Sequence, residues 1–307
     1  MEESVELVTA AALDPPVEVL QPAPQALPLV LASPHSGTVY PADLIAASRL
    51  DPHALRRSED SYVDEIFATA AASLGVPLLR ARFARAYLDA NREMYELDPT
   101  MFEEPLPSFV NSRSPRVQVG LGTIARIVSS GEEIYGRKLR FAEAEQRIET
   151  LYKPYHETVR RLLDATLASF GFHILVDCHS MPSAGAEARA GGVAAGRGRV
   201  DIVLGDCHGT SCHPLVHETA HRVLTARGYV VARNAPYAGG FTTAHYGRPA
   251  DERHAIQIEI NRSLYMDERT LRRRPYLRQL AADMGEVIAA LGTLDRAALQ
   301  PQRRAAE

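Results

Sequence analysis

This sequence predicts an α/β fold: three layers, α/β/α, around a central mixed and mostly parallel sheet. Three observations carry that expectation. Short apolar runs rich in Val, Ile and Leu alternate with helical patterns along the chain, as in a sheet covered on both faces. Several of those runs break off into polar residues, as strands do where their carboxyl ends border a site. The 307-residue chain, with 46% hydrophobic and 23% charged content, is long enough to bury a substantial core.

Residues 1–27 are rich in Ala, Pro and acids, with Pro15-Pro16 and Pro22-Ala23-Pro24. They read as an irregular arm with one short strand at 17–20. Residues 28–33 are the first full strand, stopping at the turn Pro34-His35-Ser36-Gly37. From 58 to 74, Val63, Ile66, Phe67 and Ala70 recur at helical spacing behind Glu59 and Asp60, with Ser58 as N-cap and Gly75 as stop. Strands are expected at 76–79 and 84–88, the second running into Asp89-Ala90-Asn91-Arg92. Residues 93–136 are rich in Pro and Gly with little periodicity, and long irregular segments in compact domains are often functional. Residues 141–170 read as one long helix kinked near Pro154.

Gly171 precedes the central strand, 172–182, which ends Asp177-Cys178-His179-Ser180-Met181-Pro182. Alternation along a strand puts Asp177 and His179 on one face and Cys178 on the other. Residues 183–199 are an Ala/Gly-rich loop, 200–205 a strand, 214–227 a helix, 229–232 a strand and 234–248 a turn-rich loop around Gly239-Gly240. The last core strand, 256–260, presents Glu259. A helix over 269–291 caps the sheet. The domain thus spans 28–295, and 296–307 is a frayed polar tail.

The net charge of -4 gives no reason to expect nucleic acid or an acidic membrane as partner. The cations are nearly all arginine, which suits planar carboxylate recognition. Cys178, Cys207 and Cys212 form no C-x-x-C pair, which argues against a disulfide scaffold and for a reduced, cytoplasmic setting. The acidic N-terminus lacks the pattern of a signal peptide, and no apolar run is long enough to span a membrane.

Three strand ends carry ligand or base types: His35, His179 and Glu259. A helix start offers Asp60 or Glu59. A lone strand-end histidine is equally well explained by ordinary hydrogen bonds; their recurrence points to a metal. Two imidazoles and a carboxylate, with a fourth position left to water, are the pattern of a catalytic zinc site. Such a metal activates water and polarises a carbonyl, and a separate carboxylate serves as general base, which suits amide hydrolysis. A rival is His217-Glu218-Thr219-Ala220-His221, which fits H-E-x-x-H but sits on what reads as a covering helix. There is no G-x-S-x-G elbow, Walker motif or G-x-G-x-x-G sequence. Cys178 reads as a buried small hydrophobe.

At this point the ordered set Ser33-Pro34-His35-Ser36-Gly37, Glu59-Asp60-Ser61-Tyr62-Val63-Asp64, Arg85 through Arg92, Asp177 through Pro182, Asn234 through Gly240 and Glu259-Ile260-Asn261-Arg262 resembles the N-formylglutamate amidohydrolase family, in the wider clan of zinc carboxypeptidases and aspartoacylases. The resemblance implies a zinc-carboxypeptidase-like fold and one divalent metal, zinc or another such ion, held by His35 and His179. The clan's third ligand, a glutamate three residues after the first histidine, is Thr38 here. The third place falls to Asp60, with Glu59 as the alternative. It further implies Glu259 as catalytic base, Arg85 at the developing oxyanion, Asn91 and Arg92 as a carboxylate clamp, Arg262 on a second carboxylate, and Asn234, Tyr237, Gly239 and Gly240 around the pocket floor.

The implied reaction is attack of a metal-bound water on N-formyl-L-glutamate, giving formate and glutamate in histidine degradation. The implied partner is a small-molecule N-acyl amino acid, and the implied assembly a monomer or small homo-oligomer. A hydrolase for another N-acyl amino acid or a small peptide, and a non-catalytic metal- or ligand-binding protein on the same scaffold, are the alternatives.

Overall fold

The structure, a computed structural model, describes residues 13–187 and 199–300. Seven strands form its main sheet: β1 (Val17–Leu20), β2 (Leu29–Ser33), β3 (Leu78–Ala81), β4 (His173–Met181), β5 (Ile202–Gly205), β6 (Val231–Arg233) and β7 (Arg253–Asn261), in the order β1-β3-β2-β4-β7-β5-β6. β2, β4 and β7 run parallel, while β5 pairs antiparallel to β7 and parallel to β6. The sheet is therefore mixed and mostly parallel, as expected. Every residue of β4 is buried, which explains why it reads as a near-continuous apolar run rather than a strict alternation.

The main helices are α1 (Val63–Leu74), α2 (Phe141–Arg147), α3 (Lys153–Phe170), α4 (Pro214–Ala226), α5 (Phe241–Tyr246) and α6 (Leu277–Gly292). The described residues group into two compact units. One comprises residues 20–32, 62–78, 161–187 and 199–300, and the other 13–19, 33–61 and 79–160.

In the first unit an apolar cluster joins one face of the strands to three helices. Ile174, Val176 and Cys178 of β4 and Ile256, Ile258 and Ile260 of β7 meet Phe67 of α1, Leu224 of α4 and Val287 of α6. Period two sends the intervening residues of β4 and β7 to the opposite face. In that register Asp177 lies beside Gln257, and His179 beside Glu259. The second unit is rich in irregular structure but well packed, with Tyr40, Leu55, Phe83, Phe102, Tyr152 and Tyr155 all buried. Its long 93–136 segment is ordered by its own polar side chains: Asp98 accepts from Thr100 and Arg126, and Ser114 donates to Glu96.

Several expectations differ from what is found, and the loops expected over 183–199 and 234–248 contain short helices, Ser183–Glu187 and α5. The helix expected from Ser58 begins at Val63, because Tyr62 takes a left-handed backbone (φ 67°) and Glu59 is extended. Residues 84–88 form a turn, with Tyr87 N and Leu88 N both bonded to Ala84 O, so their apolar run reflects burial rather than a strand. The helix expected over 269–291 starts at Leu277, and Met266–Asp267 pairs with Arg272–Arg273 ahead of it. Where one helix kinked near Pro154 is expected, a π-turn, Ile148–Tyr152, joins α2 to α3, and Pro154 lies inside the first turn of α3. Parts of the expected arm, loop and tail (1–12, 188–198 and 301–307) lie outside the described residues.

Candidate metal centre

The turn after β2 places His35. A side chain at Gly37 would lie 2.2 Å from Phe83 O, so only glycine lets the two backbones pass this close. The loop is tied to the acidic segment by Asp60 N to His35 O (3.0 Å) and by Ser36 Oγ to Asp60 O (2.9 Å). The His35 ring is held between two carboxylates, with Nδ1 3.3 Å from Asp60 Oδ2 and Nε2 2.8 Å from Asp89 Oδ1. Asp89 is gripped in turn by Arg85 Nε (3.0 Å), Asn91 N (2.9 Å) and Arg92 Nη2 (3.3 Å). Burial pushes the Asp89 carboxyl up, but Arg85, Arg92 and His35 together outweigh it and hold it well below the usual carboxylate range.

Among the described residues, one group of His, Cys, Asp and Glu side chains could hold a metal ion. His35, Asp60 and His179 are all buried, and each offers one ligand atom within 4.8 Å of the others. The donor set fits a zinc-type ion, two imidazoles and a carboxylate. The far nitrogen of His35 faces a carboxylate, the outer arrangement that orients a ligating imidazole. Glu59, the alternative acid, is committed elsewhere: Tyr40 Oη, Arg56 Nε and Ser61 Oγ all donate to it. Burial raises its carboxyl, against the pull of Arg56 and these bonds.

Glu259 stands next to His179 on the same sheet face. Gln257 Nε2 donates to Glu259 Oε1 (2.9 Å), while Gln257 Oε1 accepts from Gly240 N (2.8 Å). The main-chain donor fixes which end of the amide faces the carboxylate. Asp177 Oδ1 lies 2.9 Å from His179 Nε2, and Thr243 of α5 donates to Asp177 Oδ2.

The other expected site residues are placed as follows. Arg92 is buried and directs Nε to Leu121 O and Nη1 to Asn91 O; burial lowers its pKa to about 10, against the pull of Asp89. Arg85 is partly exposed on Asp89. Arg262 Nε donates to Ser180 Oγ (3.1 Å). Asn234 is left-handed (φ 58°), and its amide bonds the main chain and carboxylate of Asp206. Gly239 sits at φ 133°, and Tyr237 is half-buried near Gly185.

Cys178 faces the apolar cluster, where burial pushes its thiol well up. His217 and His221 stack on α4 with centroids 6.0 Å apart and do not belong to the metal-capable group. Sequence reasoning assigned no role to Asp89 or Gln257. Gln257 was within reach, since it precedes Glu259 by two residues on one strand. Asp89 carried no such signal, because only the folded turn brings it to His35.

A family model described as N-formylglutamate amidohydrolase matches residues 27–266. The chain is similar to the N-formylglutamate deformylase of Pseudomonas putida, 28% identical over 245 residues, covering 79% of this chain and 83% of that one. It is similar to that of Pseudomonas aeruginosa, 29% identical over 247 residues with the same coverage. Among solved structures, an N-formylglutamate amidohydrolase from Ralstonia eutropha JMP134 superposes with a TM-score of 0.81 at 38% identity, covering 90% of this chain and 96% of that one. A gene product of Agrobacterium tumefaciens shares the fold with a TM-score of 0.66 at 19% identity, covering 92% and 96%.

Proposed function

The chain belongs to the N-formylglutamate amidohydrolase family, and from that premise we propose that it hydrolyses N-formyl-L-glutamate to formate and L-glutamate. The observation that carries the reading is the buried His35–Asp60–His179 group, with a glutamate, Glu259, as neighbour of His179 in the sheet. Binding alone needs no such base, which favours an enzyme over a metal-storing scaffold.

We propose His35, Asp60 and His179 as the ligands of one divalent ion, zinc by donor type. When bound, that ion supplies Lewis-acid polarisation of the formyl carbonyl and lowers the pKa of water. Glu259 accepts the proton of the attacking water at its carboxylate and delivers it to the amide nitrogen as the C–N bond breaks. Gln257 holds Glu259 in one orientation through this transfer. Arg85 faces the developing oxyanion. Arg262 takes a substrate carboxylate, while Arg92 and Asn91 serve chiefly by fixing Asp89. Tyr237 and the Gly239-Gly240 turn shape the floor. Residues 28–295 act as one metallohydrolase domain in histidine breakdown in the cytoplasm. No helix among the described residues is long and apolar enough to cross a membrane.

The test is formate release from N-formyl-L-glutamate and N-formylaspartate, and acetate release from N-acetylglutamate, each with and without a chelator. Formate from formylglutamate, abolished by chelation and by Glu259→Gln with zinc content unchanged, is the expected outcome. Faster turnover of either other amide, or turnover untouched by a chelator, would sink it.

A further inference from the structure

Three side chains of one helical stretch hold three carbonyls of the segment that carries Asp89. Arg147 Nη1 donates to Tyr87 O (3.2 Å), His156 Nε2 to Ala90 O (2.9 Å) and Tyr152 Oη to Arg92 O (2.8 Å). A carbonyl only accepts, so His156 carries a proton on Nε2. All three side chains are buried. Their rings are packed as well, with Tyr152 4.2 Å from His156 and the Arg147 guanidinium 3.9 Å from the Tyr87 centroid. The segment they hold, residues 87–92, belongs to no strand or helix. No ladder fixes its position.

The spacing of these donors depends on the π-turn. In an α-helix, residues five apart point about 140° away from each other, and Arg147 and Tyr152 would serve different neighbours. In the turn Ile148–Tyr152, closed by Lys153 N to Ile148 O, residues five apart lie one turn apart. From Tyr152 to His156 the spacing is four, one α-turn. The three donors therefore stand in a row along the 87–92 segment.

We propose that this π-turn is a positioning device for the metal centre. It aligns Arg147, Tyr152 and His156 so that residues 87–92 present Asp89 to His35 Nε2. Tyr152 and His156 are positioning residues that act one step behind Asp89. The inference rests on the reading of His35 as a metal ligand.

The test measures zinc dissociation constants by chelator competition, together with kcat, KM and Tm, for five proteins: wild type, Tyr152→Phe, His156→Leu, His156→Gln and Val159→Ala. Loss of an outer partner of a metal ligand weakens binding by 10–100-fold; one step further out, Tyr152→Phe and His156→Leu are each expected to weaken zinc by about tenfold, with kcat reduced and KM unchanged. His156→Gln keeps an N–H donor and restores most of the affinity. Val159→Ala, a truncation of a buried side chain on the same helix, lowers Tm and leaves zinc affinity alone. Zinc affinity at the wild-type level in Tyr152→Phe and His156→Leu overturns the inference, as does affinity that merely tracks Tm across all five. A wild-type chain that binds no zinc removes the metal-centre reading and this inference with it, a pattern distinct from tight wild-type binding matched by the variants.

Discussion

Gln257 has both ends of its amide committed, one to the main chain of Gly240 and one to Glu259. Replacing it with leucine leaves the Gly240 N–H without its acceptor and one Glu259 oxygen without its donor. A hydrogen bond to a charged group contributes about 1.5–3 kcal/mol, so Gln257→Leu should lower kcat by at least about tenfold. KM should stay within about twofold, because the amide is aimed at the base. Steady-state kinetics on formylglutamate decide it: a raised KM with kcat intact would move Gln257 from the base to the substrate. Asp89 offers a second residue-scale test. Asn at this position can still accept from His35, but its amide hydrogens would face the donors of Arg85 and Arg92. Asp89→Asn should weaken zinc by about 10–100-fold, read by chelator competition, and an unchanged affinity would show that His35 needs no orienting partner.

The strands that carry the site also carry a pH liability at their opposite ends. His173 opens β4 and His254 lies near the start of β7, both fully buried. Neither ring nitrogen of His173 has a hydrogen bond of good geometry, and His254 accepts one from His213 N. Burial first, then Arg253 and His254, lower His173 to about 3; burial, then His213, lower His254 to about 4. Both folded-state values lie below the unfolded value of about 6.5. The unfolded chain therefore binds more protons in between, and stability present above about pH 6.5 is lost as pH falls toward 4. Each histidine contributes a slope of up to about 1.4 kcal/mol per pH unit. His173→Leu should remove one such share from the pH dependence of urea midpoints between 7 and 4.5. At pH 7 it should cost little, since the neutral ring has no hydrogen bond of good geometry to lose; an unaltered slope would refute the account. Elements differ in how far they could be read from sequence for related physical reasons. β2, β4, β5 and β7 were legible because strands buried on a covered sheet are runs of branched apolar residues. Residues 84–88 misled because a buried turn shows the same run. The start of α1 was hidden by the left-handed Tyr62, for which no glycine gave warning.

At the scale of the whole chain, the three ligand candidates come from residues 35, 60 and 179, separated by long stretches of sequence. Their grouping was legible because His35 and His179 stand where an apolar run breaks into polar residues, and Asp60 stands in the acidic pair ahead of a helical pattern. The outer layer was not, because Asp89 reaches His35 only through tertiary structure. Ligands so far apart in sequence do not form a site in an unfolded chain, so metal binding and folding are coupled. An ion that binds only the folded state adds about 4 kcal/mol at a free concentration a thousand times its dissociation constant. Stripping the metal with a chelator should therefore lower Tm by several degrees as well as stop formate release, and zinc should restore both. In His35→Ala the Tm should no longer respond to chelator or zinc, whereas in Glu259→Gln the response should persist without turnover. This pair separates the two roles in one experiment: a Tm in wild type indifferent to chelator would deny the metal its place, and a Tm response lost in Glu259→Gln would make that glutamate a ligand rather than the base.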